Sequence, residues 1–189
     1  PVEDTDIDAE VSPEAMRERG AVALKLLLIW RPDDTRARNV ETARRFMAMS
    51  RKAGILGIVE PVVRPSESAS REALILDAAR QLTPVGPDLY KCEVPFQGKE
   101  SNAAIGEVCE QISGILPCPW VVLSQGVPAE KFANAVEVAC SKGASGFLAG
   151  RAIWADTVRA DDYAAAIREM SVARLRDLIA IVDAGVRPS

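Results

Sequence analysis

Segments typical of strands and of helices alternate along this chain of 189 residues. The strand-like segments start at positions 23, 56, 89, 120 and 146, so successive starts lie 33, 33, 31 and 26 residues apart. We predict strands over residues 23–30, 56–63, 89–94, 120–124 and 146–149. Amphipathic helices are predicted over residues 36–53, 70–82, 103–115, 129–142 and 161–184. This alternation predicts βαβ units and a parallel sheet.

An acidic stretch without periodicity, residues 1–12, precedes these segments. The run Ser12-Pro13-Glu14 is a typical helix start, with an N-cap, a proline at the first helical position and an acid in the first turn. That helix is predicted to end near Gly20. We therefore predict a single domain over residues 1–189, with 1–12 as a lead-in and 13–189 as βα units.

Two architectures contain five parallel strands. One is an open doubly wound sheet, and the other is part of a (β/α)8 TIM barrel, which takes about 250 residues when complete. No Gly-x-Gly-x-x-Gly follows the first strand, so the dinucleotide-binding fingerprint of the open sheet is missing. Length alone favours the open sheet, whereas the polar residues at the strand ends favour the barrel.

Composition excludes several functions. The net charge of −4 and the pI of about 5.1 argue against a nucleic-acid-binding surface. The longest apolar runs are too short to cross a bilayer, and no secretory signal is apparent, so we expect a cytoplasmic protein without a membrane partner. The absence of histidine rules out His-dependent catalysis within the chain and removes the commonest zinc ligand, so we predict neither a metal nor a cofactor. Four scattered cysteines are predicted to be reduced thiols, namely Cys92, Cys109, Cys118 and Cys140.

Lys91 lies at the centre of the third strand-like segment. Burial removes the hydration of a lysine charge and favours the neutral amine, which can attack a carbonyl carbon. A structural interpretation is also possible, because residues i and i+2 of a strand share a face, so Lys91 and Glu93 could form a buried ion pair. On the strand alone, both interpretations stay open.

Polar residues also stand where the other strands end, which is where barrel enzymes build their sites. They are Trp30-Arg31-Pro32-Asp33-Asp34, Glu60-Pro61, Ser124-Gln125-Gly126 and Gly150-Arg151. Glycines after strands allow backbone N–H groups to approach an anion, and an arginine adds a fork of donors. The last two segments therefore predict a phosphate or sulfonate site, although turn glycines and a surface ion pair would explain each segment separately.

Lys25 is a second lysine inside a predicted strand. It could be a residue at the start of the strand whose ammonium reaches solvent. It could equally be a cation near Glu60 and Lys91, where it would help to keep Lys91 neutral, because like charges disfavour each other.

Five segments, in order, resemble those of class I aldolases of the tagatose-bisphosphate type, with the sulfofructosephosphate aldolases as the nearest branch. They are KLLLIWR (25–31), IVEPVVRP (58–65), DLYKCEVP (88–95), PWVVLSQGV (119–127) and GFLAGRAIW (146–154). The resemblance implies a (β/α)8 barrel of which this chain carries strands four to eight. It also implies that Lys91 is the strand-six lysine that forms a Schiff base with a ketose phosphate.

The activity that the resemblance implies is retro-aldol cleavage of 6-deoxy-6-sulfofructose 1-phosphate to dihydroxyacetone phosphate and 3-sulfolactaldehyde. Lys91 and Lys25 would be catalytic-site residues, and Glu60 or Glu93 would accept the proton of the substrate hydroxyl. The anion would be bound by Ser124, Gln125, Gly126, Gly150 and Arg151. Relatives usually carry a small residue where this chain has Gln125.

Two alternatives stay open at this point. One is an aldolase for tagatose or fructose bisphosphate. The other is an inactive half-barrel that binds anions or assembles with a partner. For either enzyme we expect a small-molecule sugar phosphate or sulfosugar phosphate as the binding partner, a homo-oligomer as the assembly, and no nucleic acid.

Overall fold

The computed structural model describes residues 5–8, 10, 12–67 and 69–185. The predicted lead-in therefore lies partly outside the described residues. The strands are β1 (Ala23–Trp30), β2 (Leu56–Val63), β3 (Leu89–Glu93) and β4 (Trp120–Leu123). The helices are α1 (Pro13–Glu18), α2 (Thr35–Ala53), α3 (Arg71–Leu82), α4 (Asn102–Ile115), α5 (Ala129–Ser141), α6 (Arg151–Trp154), α7 (Tyr163–Ala166) and α8 (Val172–Gly185). Short 3₁₀ turns occur at Thr83–Val85, Pro95–Gly98 and Thr157–Arg159, and a π turn at Ile167–Ser171.

The sheet has the order β1-β2-β3-β4. The strands β1 and β2 pair in parallel over their whole length, from Ala23 opposite Leu56 to Trp30 opposite Val63. The strands β2 and β3 are also parallel, with Val59 opposite Tyr90. The prediction of an α/β fold with a parallel sheet is confirmed.

Local sequence explains where several helices begin. The Oγ of Ser12 accepts the backbone N–H of Ala15 and caps α1, as the run Ser12-Pro13-Glu14 predicted. The Oγ of Ser70 accepts the N–H of Ala73 and caps α3 in the same way. These caps satisfy donors that the first turn of a helix leaves without an intrahelical partner.

The fifth predicted strand, residues 146–149, does not form as a strand. Only Phe147 makes a parallel bridge, opposite Val122, with one hydrogen bond from Val122 N to Gly146 O and one from Leu148 N to Val122 O. Gly146 has a φ of 142°, outside the extended region of strands, and such a glycine interrupts pairing. The expected set of strands four to eight is therefore not confirmed, since four strands are found among the described residues.

The predicted helix over residues 161–184 is interrupted. The helix α7 runs into the π turn Ile167–Ser171, and only then does α8 begin. At the end of the π turn, the hydroxyl of Ser171 lies 2.8 Å from that of Thr157, and both residues are buried. A π turn is a local distortion of a helix, and the periodicity of apolar residues does not reveal it.

The chain divides into two compact units. The first comprises Pro1–Cys92 and Gly114–Trp120, and the second comprises Glu93–Ser113 and Val121–Ser189. In the first unit, one sheet face is buried under α2 and α3, with Leu28, Trp30, Val59 and Tyr90 in the core. The opposite face is more open. Along β1 it carries Lys25 and Leu27, along β2 Leu56 and Ile58, and along β3 Leu89 and Lys91.

The second unit has its own core between α4, α5 and the bridge at Phe147. The rings of Phe132 and Phe147 meet edge to face, with centroids 6.1 Å apart. Ile105, Ile112 and Val136 are also fully buried. Among the described residues of both units, none of the helices is long and apolar enough to cross a membrane.

Tyr90 gives a test of the packing in the first unit. Its side chain is fully buried, desolvation raises its pKa well above the ordinary value, and its Oη has no hydrogen-bond partner among the described residues. An unpaired buried hydroxyl costs stability. We therefore expect Tyr90→Phe to raise the free energy of unfolding by about 1 kcal/mol, measured by urea denaturation.

The control for this experiment is Tyr163→Phe, because Tyr163 is exposed and its hydroxyl is solvated. That variant should unfold like the wild type. A clear loss of stability in Tyr90→Phe would contradict the expectation, because it would mean that the hydroxyl has a partner.

Candidate functional site

Three charged residues from neighbouring strands meet on the open face of the sheet. Lys25 is on β1, Glu60 on β2 and Lys91 on β3. The register places Leu27 opposite Glu60, and Lys25 shares a face with Leu27 because side chains two residues apart point the same way. Since Val59 is opposite Tyr90, the next residues, Glu60 and Lys91, are level with each other.

The carboxylate of Glu60 lies between the two amines. Its Oε1 is 3.1 Å from Nζ of Lys91, and its Oε2 is 2.5 Å from Nζ of Lys25. The side chains differ in exposure, at 7% for Glu60, 14% for Lys91 and 39% for Lys25. The single carboxylate of Glu60 thus forms ion pairs with two amines. Lys91 is the more shielded of the two.

Both oxygens of Glu60 contact an amine. Lys91 approaches Oε1, Lys25 approaches Oε2, and Oε2 has almost no surface accessible to solvent. A carboxylate held next to an amine can act as a general base.

The structure shows which carboxylate each lysine contacts and how exposed it is. Lys91 forms its ion pair with Glu60 on the adjacent strand. Glu93 is almost completely buried and begins the second unit. Lys25 combines its two interpretations, because its ammonium contacts Glu60 while the side chain keeps substantial access to solvent.

The residues of the predicted anion site lie in the second unit. Ser124, Gln125 and Gly126 form a turn after β4, closed by a hydrogen bond from Val127 N to Ser124 O of 3.2 Å. Gly126 has a φ of 77°, in the left-handed region that glycine adopts without strain. The turn therefore has no side chain at its last position.

Gly150 precedes α6, and Arg151 is its first residue. Arg151 lines an open cleft of about 470 Å³. The cleft is lined by Ala129, Glu130, Arg151, Ala152, Ala155, Asp156 and Arg174, so among the described residues the turn Ser124-Gln125-Gly126 is not part of its wall.

The two arginines that line this cleft differ in whether a carboxylate pairs with them. Two hydrogen bonds of 2.6 Å join the guanidinium of Arg174 to both carboxylate oxygens of Asp156, and they lower the pKa of Asp156 to about 2. Arg174 is thus paired. Among the described residues no carboxylate pairs with Arg151, which leaves its guanidinium available to an anion.

Sequence reasoning missed the segment after β3. Phe96 and Gln97 both have positive φ angles, and the side chain of Gln97 lies against Gly126. A proline followed by two ordinary residues and a glycine carries no signal for that conformation. The described residues also contain no group of three or more Cys, Asp or Glu placed to hold a metal ion.

The fold and the lysine–carboxylate cluster together define an α/β protein with an amine-centred candidate site. Residues 2–156 match the DeoC/LacD family of aldolases, and the chain belongs to that family. It is 29% identical over 180 residues to the tagatose 1,6-diphosphate aldolase of Listeria monocytogenes serotype 4a, which covers 81% of this chain and 53% of the relative. The chain thus spans about half the length of the curated relatives it matches.

Solved structures show the same fold. An archaeal fructose-1,6-bisphosphate aldolase, with its catalytic Lys covalently bound to the carbinolamine intermediate of the substrate, aligns with a TM-score of 0.68 at 19% identity. The alignment covers 92% of this chain and 63% of that one. The fructose-bisphosphate aldolase of Plasmodium falciparum aligns with a TM-score of 0.73 at 16% identity, over 94% and 61% of the two chains. The fold is therefore aldolase-like.

The charge balance at Glu60 can be tested by removing its charge. Glu60→Gln would leave two partly buried amines without a counter-charge, and we expect the free energy of unfolding to fall by about 2 kcal/mol. Removing one amine as well, in Glu60→Gln/Lys25→Met, should restore part of that loss, because it removes one of the two like charges. Urea denaturation of both variants measures the effect.

The matched control is Glu41→Gln, since Glu41 is an exposed carboxylate that pairs with Arg44 on the surface of α2. It should change stability by less than about 0.5 kcal/mol. If Glu60→Gln behaved like Glu41→Gln, the carboxylate would not hold the two amines.

Proposed function

We propose that the protein is a class I aldolase in which the amine of Lys91 forms a Schiff base with the carbonyl carbon of a ketose phosphate. The observation that carries the proposal is the position of Glu60 between Lys91 and Lys25. Membership of the DeoC/LacD family supports the same reaction class.

Lys91 is the more shielded of the two amines that contact Glu60, with 14% of its side chain exposed against 39% for Lys25. We therefore propose Lys91 as the nucleophile and Lys25 as a neighbouring residue of the same site.

The cleavage follows from the iminium. The nitrogen of Lys91 adds to the ketose carbonyl, water leaves, and the resulting cationic iminium withdraws electrons. A base takes the proton of the substrate hydroxyl, and its oxygen becomes the carbonyl of the aldehyde product as the carbon–carbon bond breaks. The electron pair of that bond moves into an enamine on Lys91, and the aldehyde leaves. Protonation of the enamine carbon and hydrolysis then release the ketone product and the free amine.

We assign the base to Glu60 rather than to Glu93. Glu60 lies on the same sheet face as Lys91, and a carboxylate can accept a proton from a hydroxyl. Glu60 also lies beside the proposed nucleophile, 3.1 Å from its nitrogen. The carboxylate would therefore both position Lys91 and remove the hydroxyl proton.

We assign the binding of an anion to residues of the second unit. We propose that backbone N–H groups of the Ser124-Gln125-Gly126 turn and of Gly150, with the guanidinium of Arg151, bind the phosphate or sulfonate. Fixing an anion in this way supplies orientation as well as affinity. The unpaired state of Arg151 in its cleft supports this role.

For the substrate we propose 6-deoxy-6-sulfofructose 1-phosphate, with dihydroxyacetone phosphate and 3-sulfolactaldehyde as products. The support is the ordered set of five sequence segments described above. A tagatose or fructose bisphosphate is the second candidate, favoured by the identity of 29% to a tagatose 1,6-diphosphate aldolase.

We also propose that the four strands and the bridge at Phe147 correspond to strands four to eight of a (β/α)8 barrel. The open face of β1 to β3 supports this. In a complete barrel such an inward face is covered by side chains of further strands. We propose a homo-oligomer as the assembly and the cytoplasm as the location.

Schiff-base trapping tests the proposed chemistry. Sodium borohydride added with dihydroxyacetone phosphate should reduce the iminium and leave a stable adduct on Lys91, located by peptide mass spectrometry. Lys91→Met should give no adduct, whereas Lys52→Met, which removes an exposed lysine from α2, should react like the wild type. An adduct on another lysine, or none at all, would refute the assignment.

A substrate panel tests the proposed specificity. We expect kcat/KM for 6-deoxy-6-sulfofructose 1-phosphate to exceed that for tagatose 1,6-bisphosphate and fructose 1,6-bisphosphate by about tenfold or more, because a site built for a particular anion discriminates by its hydrogen bonds. Equal or reversed ratios would support the bisphosphate alternative.

A further inference from the structure

Three consecutive residues shortly after β3 adopt the left-handed conformation. Their φ angles are 53° for Phe96, 52° for Gln97 and 68° for Gly98. Only glycine adopts such angles without strain, so two of these three positions hold an unfavourable backbone. The turn is fixed by hydrogen bonds from Gln97 N to Val94 O and from Lys99 N to Phe96 O, of 3.1 and 3.0 Å.

The strain positions the side chain of Gln97. A Cβ placed on Gly126 would collide with Nε2 of Gln97 and come within 2.9 Å of its Cδ. The amide group of Gln97 therefore fills the space that a side chain at position 126 would take. This explains why the turn after β4 ends in a residue without a side chain.

The carbonyl oxygen of the same amide accepts a hydrogen bond from a lysine. Nζ of Lys99 donates a hydrogen bond of 3.1 Å to Oε1 of Gln97. Gln97 thus joins an exposed ammonium to the Gly126 turn, with its own amino group facing the turn. All three residues belong to the second unit.

The partner of Lys99 is neutral, and this has a chemical consequence. A carboxylate at position 97 would neutralise the ammonium, whereas an amide orients it and leaves its charge intact. No carboxylate within the described part of the chain pairs with Lys99. An ammonium oriented by an amide that lies against a glycine turn is suited to a tetrahedral oxyanion.

We infer that Lys99 and Gln97 form a further anion-binding contact of the site, in which the ammonium of Lys99 and the amide N–H of Gln97 bind a phosphate or sulfonate oxygen held at the Gly126 turn. The inference rests on the proposed function for the identity of the substrate. It adds two binding residues to that site. It also explains the strained segment, because the strained backbone holds Gln97 over Gly126.

The first test measures anion binding by isothermal titration calorimetry, with inorganic phosphate and ethanesulfonate as the two probes. Lys99→Met should weaken binding of the preferred anion by about tenfold, as expected for a lost charged hydrogen bond. Lys99→Arg keeps the charge and should stay within about twofold. The anion whose affinity falls more in Lys99→Met is the one that the site accepts.

The second test separates binding from folding. Gln97→Gly removes the amide and also relieves the strain at φ 52°, so its urea midpoint should equal or exceed that of the wild type while anion affinity falls about threefold or more. A residue that served only to brace the loop would lower the midpoint and leave anion affinity unchanged. That result would overturn the inference.

Lys52→Met is the matched control, since it removes an equal charge from an exposed position on α2. If Lys99→Met bound both anions as Lys52→Met does, or if the wild type bound neither, the inference would be wrong. Borohydride trapping on Lys91 reports on the aldolase proposal separately. If Lys91 is trapped but Lys99→Met keeps its anion affinity, only the anion contact is refuted. If Lys99→Met loses anion affinity but Lys91 is not trapped, only the aldolase proposal is refuted.

Discussion

The cluster on the open sheet face depends on one buried carboxylate. Glu60 could not be buried as an anion by itself, because transfer of an unpaired charge out of water costs far more than a domain can offset. Two amines on adjacent strands supply the compensation, at 3.1 and 2.5 Å. The same arrangement gives the lysines a reason to lie within strands. Stability and the proposed chemistry therefore depend on the same three side chains.

Parallel pairing is what makes this cluster possible. Each crossover helix returns the chain to the same end of the sheet, so residues at equal height on successive strands become neighbours. The register of β2 and β3, with Ile58 opposite Leu89, places Glu60 level with Lys91. The two faces of the sheet then differ in character. The face under α2 and α3 is buried and apolar, and the other holds the charges.

Much of this could be predicted from sequence, and the exceptions have physical reasons. Periodicity and caps located α1 to α5 and β1 to β4 within a few residues, and Lys91 lies within β3 as predicted. The partner of Lys91 was not predictable, because Glu60 and Glu93 both satisfy the strand pattern and only the register between strands distinguishes them. The segment 146–149 looked like a strand from its apolar residues, yet pairing stops at one bridge where Gly146 leaves the extended conformation.

The segment Phe96–Gly98 escaped prediction for a more general reason. Sequence propensities describe what each residue prefers, and here two residues adopt a conformation they disfavour. Such a departure persists only if neighbouring structure compensates, and the compensation lies in residues distant in sequence, namely the contact of Gln97 with Gly126. If backbone stability alone determined position 97, glycine would be the better residue there. Glutamine at that position therefore argues that the amide, and the ammonium it orients, matter more than the strain they require.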